Sequence, residues 1–583
     1  MGKTKMRDYK SEIASELEKI TSIEADKIYS LIEIPPQKEM GDYAFPCFSL
    51  AKTMRKSPAV IASEISESLK GKLAFIQNID ANSGYLNLFV RPQAFIYEVT
   101  TQTIQDDSMA GSSKAGEGKT VLVEFSSPNI AKPFHVGHAF TTILGNALNN
   151  IYRHLGYNTV KLNHLGDYGT QFGKLISAYK RWGDETALLE HPIKELLRIY
   201  VKFHDEAKQN PALDDEARVY FKNLENKSAE EVALWEKFRT LSLMEFNGIY
   251  ERLGVSFDDL NGESFYSDKI PEVVSMLKEK NILVESDGAQ VVMLDEFGLP
   301  PCIILKSDGT TIYASRDIAA VLYRIRTYDF FKNIYVVGSP QALHFKQVFA
   351  VVKKMGIDRA DDCIHVGFGL VKFADVKFST REGNIILLED LLNECVSKTF
   401  EIIKANQEER KTDMSDEEMA IAAERIGIGA VIYTFCKNSR ERDIVFSWDE
   451  MLDFEGDSAP YVMYSYARCQ SIVRKAAEKG IVIDEIPLEQ FDSIETEEEF
   501  ALAKLIYGLK DSIENSASSN EPFILVRQIN SIARAFNKFY NNSPILNNPD
   551  EKIMKARIAI CLSTSVAIKT GLELLGIKTV ERM

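Results

Sequence analysis

The clearest signal along the chain is a change in the period of its apolar positions. Gly84-Tyr-Leu-Asn-Leu-Phe-Val90 alternates with period two, as a half-buried strand does, and sits among short helical patterns in the first hundred residues. Gly111-Ser-Ser-Lys-Ala-Gly-Glu-Gly118 has the small and charged composition of a linker. Val121-Leu-Val-Glu-Phe125 then reads as a short apolar strand, followed by a loop with Pro128 and Pro133 and a helix-period run from Gly137 to Leu155. Thr159-Val-Lys-Leu-Asn163 is a second strand, so the segment predicts a βαβ unit with its site at the carboxyl ends of the strands. Ile334-Tyr-Val-Val337 and Cys363-Ile-His-Val-Gly-Phe368 fit the same sheet. Residues 174–310 read as an insertion, helical to about 255 and strand-like near 282–305. Beyond 385 the pattern is helical almost throughout, over 413–440, 459–479, 497–516, 522–541 and 552–575.

The predicted architecture is therefore α/β. A doubly wound parallel Rossmann-type domain (111–384) carries an insertion, behind a small α+β N-terminal domain (1–110). A helical connecting region (385–450) and an all-α C-terminal domain (451–583) follow. The 583-residue length agrees, being too great for one hydrophobic core. No apolar run approaches the ~20 residues that span a bilayer, and the basic N-terminus is followed by no apolar stretch, so neither a membrane nor secretion is expected. Seven scattered cysteines suit a reducing cytoplasm and suggest neither a disulfide framework nor a structural metal. A net charge of -16 argues against a generally basic surface, while leaving room for a local patch that meets phosphates.

Two short elements carry candidate chemistry. His135-Val-Gly-His138 lies between the first strand of the sheet and its helix, where backbone amides attract anions. Two imidazoles there, with Gly137 permitting close approach, suit the binding of ATP phosphates and of charge developing on departing pyrophosphate. The same pattern also suits one histidine that caps the helix and one that packs. Lys377-Phe-Ser-Thr-Arg381 follows the last strand of the sheet, at the same end, and suits a clamp on the triphosphate from the opposite side.

Glu124-Phe-Ser-Ser-Pro-Asn-Ile-Ala-Lys-Pro-Phe-His-Val-Gly-His138 and Asn163-His-Leu-Gly-Asp-Tyr-Gly-Thr-Gln-Phe-Gly173 closely resemble arginyl-tRNA synthetases, as does the chain from Gly41 to Met583. The pair of elements resembles the two signatures of class I aminoacyl-tRNA synthetases. The second is degenerate: Phe378, Thr380 and Arg381 replace Met, Lys and Ser, while Lys377 and Ser379 remain. In that family a lysine ahead of the histidines is thought to substitute, and Lys132 stands there.

The resemblance implies an ATP-dependent ligase that charges tRNA(Arg) with L-arginine in two steps, using Mg-ATP and no covalent enzyme nucleophile, with activation dependent on bound tRNA. Lys132, His135, Gly137, His138 and Lys377 then form the catalytic set. Glu124 and Asp317 pair with the guanidinium, whose planar fork offers only donors, while Asn129, Tyr313 and Gln341 position it. Asp167 and Gln171 either orient substrate or cap a helix; His344 and Gln347 either touch the nucleotide or are structural.

Tyr461, Tyr464 and Arg468 recur on one helix face, as stacking platforms for splayed bases or as a core stripe. The family pattern adds Met583 and Tyr540 for the anticodon. It adds Asn82, Tyr85 and Asn87 for the tRNA elbow. A cytoplasmic monomer follows as the expectation. A small adenylyltransferase with the same histidine motif is the alternative, but it has no use for the long helical C-terminal region.

Overall fold

The computed structural model describes residues 6–373 except 308 and 311, and residues 386–583 except 411–413, 482, 484–486 and 495–496. The chain forms two compact units. The first joins the N-terminal residues to Ala110 with 465–509 and 531–570; the second holds 111–464, 510–530 and 571–583.

In the first unit, β1 (Tyr43–Pro46), β2 (Ile76–Asn82) and β3 (Tyr85–Val90) form an antiparallel sheet in the order β1-β3-β2. Ser83 and Gly84 make the hairpin turn, both at positive φ, the geometry that the two-residue turn requires. The N-terminal residues pack on the C-terminal helices: Tyr9 and Phe95 each meet Tyr507 edge-on, and Gln93 donates to the Ile494 carbonyl. Glu499 and Arg557 form a buried ion pair at 2.9 Å in the same unit.

The second unit is built on a four-stranded parallel sheet of β4 (Thr120–Glu124), β5 (Asn158–Leu162), β9 (Lys332–Val336) and β10 (Cys363–Val366), in the order β10-β9-β4-β5. All four strands predicted from the apolar runs are present. The chain enters at β4, steps to β5 on one side, then returns to β9 on the other. The strand order therefore reverses at β4/β9, and the crevice beyond their carboxyl ends is where such sheets bind ligands. The helix Val136–His154 crosses from β4 to β5; its Gly145 approaches so closely that a Cβ there would lie 2.2 Å from Phe125.

The insertion consists of helices from Thr170 to Leu253 and a three-stranded antiparallel sheet, β6 (Leu283–Ser286), β7 (Ala289–Val292) and β8 (Cys302–Leu305). A parallel pair, β11 (Val371–Phe373) and β12 (Ile444–Phe446), joins the end of the sheet region to the helical region. The expectation of no membrane-length apolar run needs one correction. The helix Asp416–Cys436 is long and apolar enough, but 78% of its apolar window is buried, as in the core of a folded domain. Gly427 lets it press against the neighbouring helix, where an added Cβ would meet the Val396 backbone at 3.0 Å.

Candidate active site

The loop leaving β4 is strained. Ser126, Ser127 and Ala131 all have positive φ (72°, 45° and 64°), a region that costs a non-glycine residue on the order of 1 kcal/mol or more. Side chains from distant elements hold it there. The Ser127 N–H donates to Asn163 Oδ1 at 3.1 Å, and the Ala131 N–H to Ser242 Oγ at 3.2 Å. The Ser126 and Tyr250 hydroxyls lie 2.7 Å apart, and Asn163 Nδ2 donates to Tyr250 at 3.2 Å. Thr141 accepts from the Ser126 N–H and donates to the Val336 carbonyl, tying the loop to the end of β9. Tyr250 and Ser242 belong to the insertion helix Ala229–Leu253. Asn129 bridges to Gly166, where a Cβ would come within 2.4 Å of its Oδ1, so that glycine admits the loop.

His135 is the N-cap of the helix Val136–His154. Its Nδ1 accepts from the Gly137 N–H at 3.0 Å, and His138 Nδ1 accepts from the His135 N–H at 3.3 Å. With both Nδ1 atoms accepting, each neutral ring carries its proton on Nε2. Burial lowers the His135 pKa, and burial, then the charges of His135 and Lys132, bring that of His138 down to about 3. The rings are 4.0 Å apart, with Phe134 stacked on His138. The result is two neutral Nε2–H donors at a helix start whose first amides are already paired, Val136 with the Ile386 carbonyl, Gly137 with His135 Nδ1 and His138 with the His135 carbonyl, with Lys132 exposed nearby in the chain. This donor set fits a triphosphate. Gly137 is needed for it, since a Cβ would lie 2.8 Å from His135 Cε1.

The predicted arginine ligands flank the same strand ends. Glu124 ends β4 in register with Tyr335 of β9. Its Oε2 lies 2.5 Å from Nη2 of Arg324, a guanidinium only 1% exposed, set against the rings of Tyr266 and Tyr335. Asp317, on the helix Tyr313–Tyr328, is 2.5 Å from His344 Nε2 and 4.0 Å from His164 Nε2. The two acids share a neighbourhood: burial drives the Tyr335 phenol well above its ordinary pKa, and Glu124 and Asp317 both add to the rise. Tyr313 at the start of its helix and Gln341 at the N-cap of the next are exposed. Arg316 pairs with Glu263 at 2.7 Å, and burial raises that carboxyl to about 7.

Asp167 is wholly buried. It accepts from the Ser264 N–H and hydroxyl and from Arg239, so it fixes the insertion rather than facing substrate. Gln171 lies in the first turn of the helix Thr170–Trp182, and Gln347 donates to the Pro300 and Pro301 carbonyls. Lys377, Phe378, Ser379, Thr380 and Arg381 lie outside the described residues. Where the described residues resume, the Ile386 carbonyl accepts from the Val136 N–H and the Leu388 N–H donates to the Phe134 carbonyl, which places Ile386 and Leu388 beside the histidine segment. Among the described residues, no group of His, Cys, Asp and Glu is arranged to hold a metal ion.

Arg324, Tyr250, Ser242 and Asn163 are site residues that the sequence reading did not assign. Asn163 alone had a signal, as the first residue of the 163–173 motif.

Of the residues expected to face tRNA in the first unit, Asn82 is exposed and Tyr85 half-buried against Phe48. Asn87 is buried on the central strand between Ala44 and Asp80, which leaves it no open surface for a base. Arg468 donates to Asn537 at 2.6 Å and lies over the Tyr540 ring at 4.6 Å. In the second unit, Tyr461 and Tyr464 are half-buried on the less buried face of the helix Ala459–Glu478, and Met583 is half-buried at the C-terminus.

Three family models cover the chain. Residues 98–448 match the catalytic domain of class I (R) tRNA synthetases, 462–583 the DALR anticodon-binding domain, and 7–90 the N-terminal domain of arginyl-tRNA synthetases. The chain is 53% identical over 577 residues to the arginine–tRNA ligase of Clostridium botulinum (strain Alaska E43 / Type E3), covering 99% of this chain and 100% of the relative. It is 53% identical over 576 residues to that of Clostridium perfringens (strain 13 / Type A), with the same coverage. Among solved structures, the arginyl-tRNA synthetase of Thermus thermophilus matches with a TM-score of 0.79 at 24% identity, over 100% of both chains. That of Plasmodium falciparum matches at 0.78 and 24%, over 98% of this chain and 99% of the other. At that identity the structural likeness establishes the fold.

Proposed function

The chain belongs to the arginyl-tRNA synthetase family, and from that premise we propose that it charges tRNA(Arg) with L-arginine at the expense of Mg-ATP. The arginine carboxylate attacks the α-phosphorus in line, giving arginyl-adenylate and pyrophosphate. A ribose hydroxyl of the terminal adenosine then takes the arginyl group. The enzyme supplies position and charge stabilisation rather than a nucleophile.

His135 and His138 donate Nε2–H groups to phosphate oxygens, while Lys132 and Lys377 supply positive charge. Because the histidines are neutral, they stabilise developing negative charge by hydrogen bonding without repelling the cationic substrate. The triphosphate brings its magnesium with it. Glu124 and Asp317 receive the guanidinium, with Asn129, Tyr313 and Gln341 around it. Tyr461, Tyr464, Arg468, Tyr540 and Met583 serve the anticodon, and Asn82 and Tyr85 the elbow. Phe378, Ser379, Thr380 and Arg381 serve ATP binding with Lys377. The enzyme works as a cytoplasmic monomer, with activation coupled to bound tRNA.

The observation that carries this reading is the pair of imidazoles locked as Nε2–H donors at a helix start, at the strand-order reversal of a parallel sheet. The test is incorporation of each labelled amino acid into a mixed tRNA pool with ATP and magnesium. Arginine alone is expected to be charged. Charging of another amino acid would remove the roles given to Glu124 and Asp317, and no charging at all would remove the activity.

A further inference from the structure

The two carboxylates of the arginine site are held in different ways. Glu124 rests on Arg324, a permanent cation sealed in the core. Asp317 instead meets His344, whose side chain is 24% exposed, against 22% for Asp317 itself. His344 lies on the helix Ala342–Lys354 that follows β9, one turn after Gln341, and its ring packs edge-on against Phe345. Its Nε2 is 2.5 Å from Asp317 Oδ2. An ionised carboxylate only accepts, so Nε2 carries the proton in this bond. The other oxygen, Oδ1, accepts no hydrogen bond from a described residue; its nearest cationic candidate is His164 Nε2 at 4.0 Å.

A carboxylate on a helix face otherwise rotates about its terminal torsion, which is broad and nearly two-fold. A bond to one oxygen fixes the plane and therefore the direction of the other. We propose that His344 is a positioning residue for amino-acid selection: it holds Asp317 Oδ2 so that Oδ1 presents to the guanidinium of arginine. This rests on the reading that Asp317 binds that guanidinium. It also gives His344 a role distinct from contact with the nucleotide. The imidazole is spent on the acid, and its effect reaches the substrate only through that acid.

The experiment is steady-state aminoacylation by the full chain with saturating tRNA, measuring KM for arginine and for ATP separately in wild type, His344→Ala, His344→Gln and Asp317→Asn. His344→Ala is expected to raise the arginine KM about tenfold, the value of one hydrogen bond to a charged group, and to leave the ATP KM in place. His344→Gln, whose amide nitrogen reaches near the place of Nε2, is expected to restore the arginine KM to within about threefold. In His344→Ala/Asp317→Asn the two effects are expected to be less than additive, since one acts through the other. A raised ATP KM in His344→Ala, or an unchanged arginine KM while Asp317→Asn impairs it, overturns the inference and leaves the Asp317 reading standing. An unchanged arginine KM in Asp317→Asn overturns the Asp317 reading and the inference with it.

Discussion

Gly137→Ala should separate the stability of the helix start from its chemistry. The residue lies in the first turn of the helix Val136–His154, and its backbone is outside the left-handed region, so alanine meets no backbone strain. The obstacle is the His135 ring: a Cβ would lie 2.8 Å from Cε1 and 2.9 Å from Nδ1. Contacts that short force the ring to turn, and the Gly137 N–H loses its acceptor. That lost bond costs about 1 kcal/mol, and alanine in a helix returns about 1 kcal/mol over glycine. The two nearly cancel, so the melting temperature should move by no more than about 4 °C.

Catalysis has no such compensation. A turned ring no longer aims Nε2–H at the phosphate, and loss of one such donor costs on the order of 100-fold or more in kcat. Aminoacylation under single-turnover conditions, set beside a thermal melt, reads both quantities. Turnover within about threefold of wild type would refute the claim that Gly137 sets the His135 donor. A melting point lowered by some 10 °C would show that the cancellation was misjudged.

Gly145→Ala tests the packing of the same helix on β4. With a Cβ only 2.2 Å from Phe125 Cγ, overpacking of about 1–3 kcal/mol should outweigh the propensity gain, and the melting temperature should fall. Glu263 has its carboxyl raised by burial to about 7, so the stability it contributes is fully present below its unfolded pKa and is lost as pH rises through about 7. The loss has an upper limit of about 3 kcal/mol. Glu263→Gln should flatten the wild-type fall in melting temperature between pH 5 and pH 8; identical slopes would show that Glu263 is not the titrating group. Glu124→Gln should raise the arginine KM at least as much as Asp317→Asn, because it leaves the buried Arg324 cation unpaired beside a cationic substrate. The reverse order would refute that role for the Arg324 pair.

The centre of the sheet was legible because β4 and β9 are buried along almost their whole length and read as short apolar runs, with the histidine motif at the first strand end. What holds the site was not. Ser242 and Tyr250 reach the β4 loop from a helix more than a hundred residues away, and no local pattern announces a hydroxyl bound for a strained turn. Arg324 sits in Val321-Leu-Tyr-Arg-Ile-Arg326, where arginine normally faces solvent, yet it is 1% exposed because Glu124 and two tyrosine rings receive it. Asn87 misled in the opposite direction. The family resemblance assigns it to the tRNA elbow, but it is buried on β3 between Ala44 and Asp80. In each case the deciding partner is distant in sequence.

These distant partners also bear on how the proposed site would work with neutral histidines. Three non-glycine residues at positive φ between Phe125 and Lys132 would relax in isolation, and the lysine and both imidazoles would move with them. Asn163, Ser242, Tyr250 and Thr141 each spend a hydrogen bond at about 1 kcal/mol on this loop, comparable in size with the strain they oppose. The donors are thereby aimed before substrate arrives, so little reorganisation is left for the reaction itself. Neutral donors stabilise less charge than cations would, and their advantage lies in that fixed direction. The insertion contains none of the proposed phosphate ligands, but through Ser242 and Tyr250 it holds the loop in a conformation the loop would not keep alone.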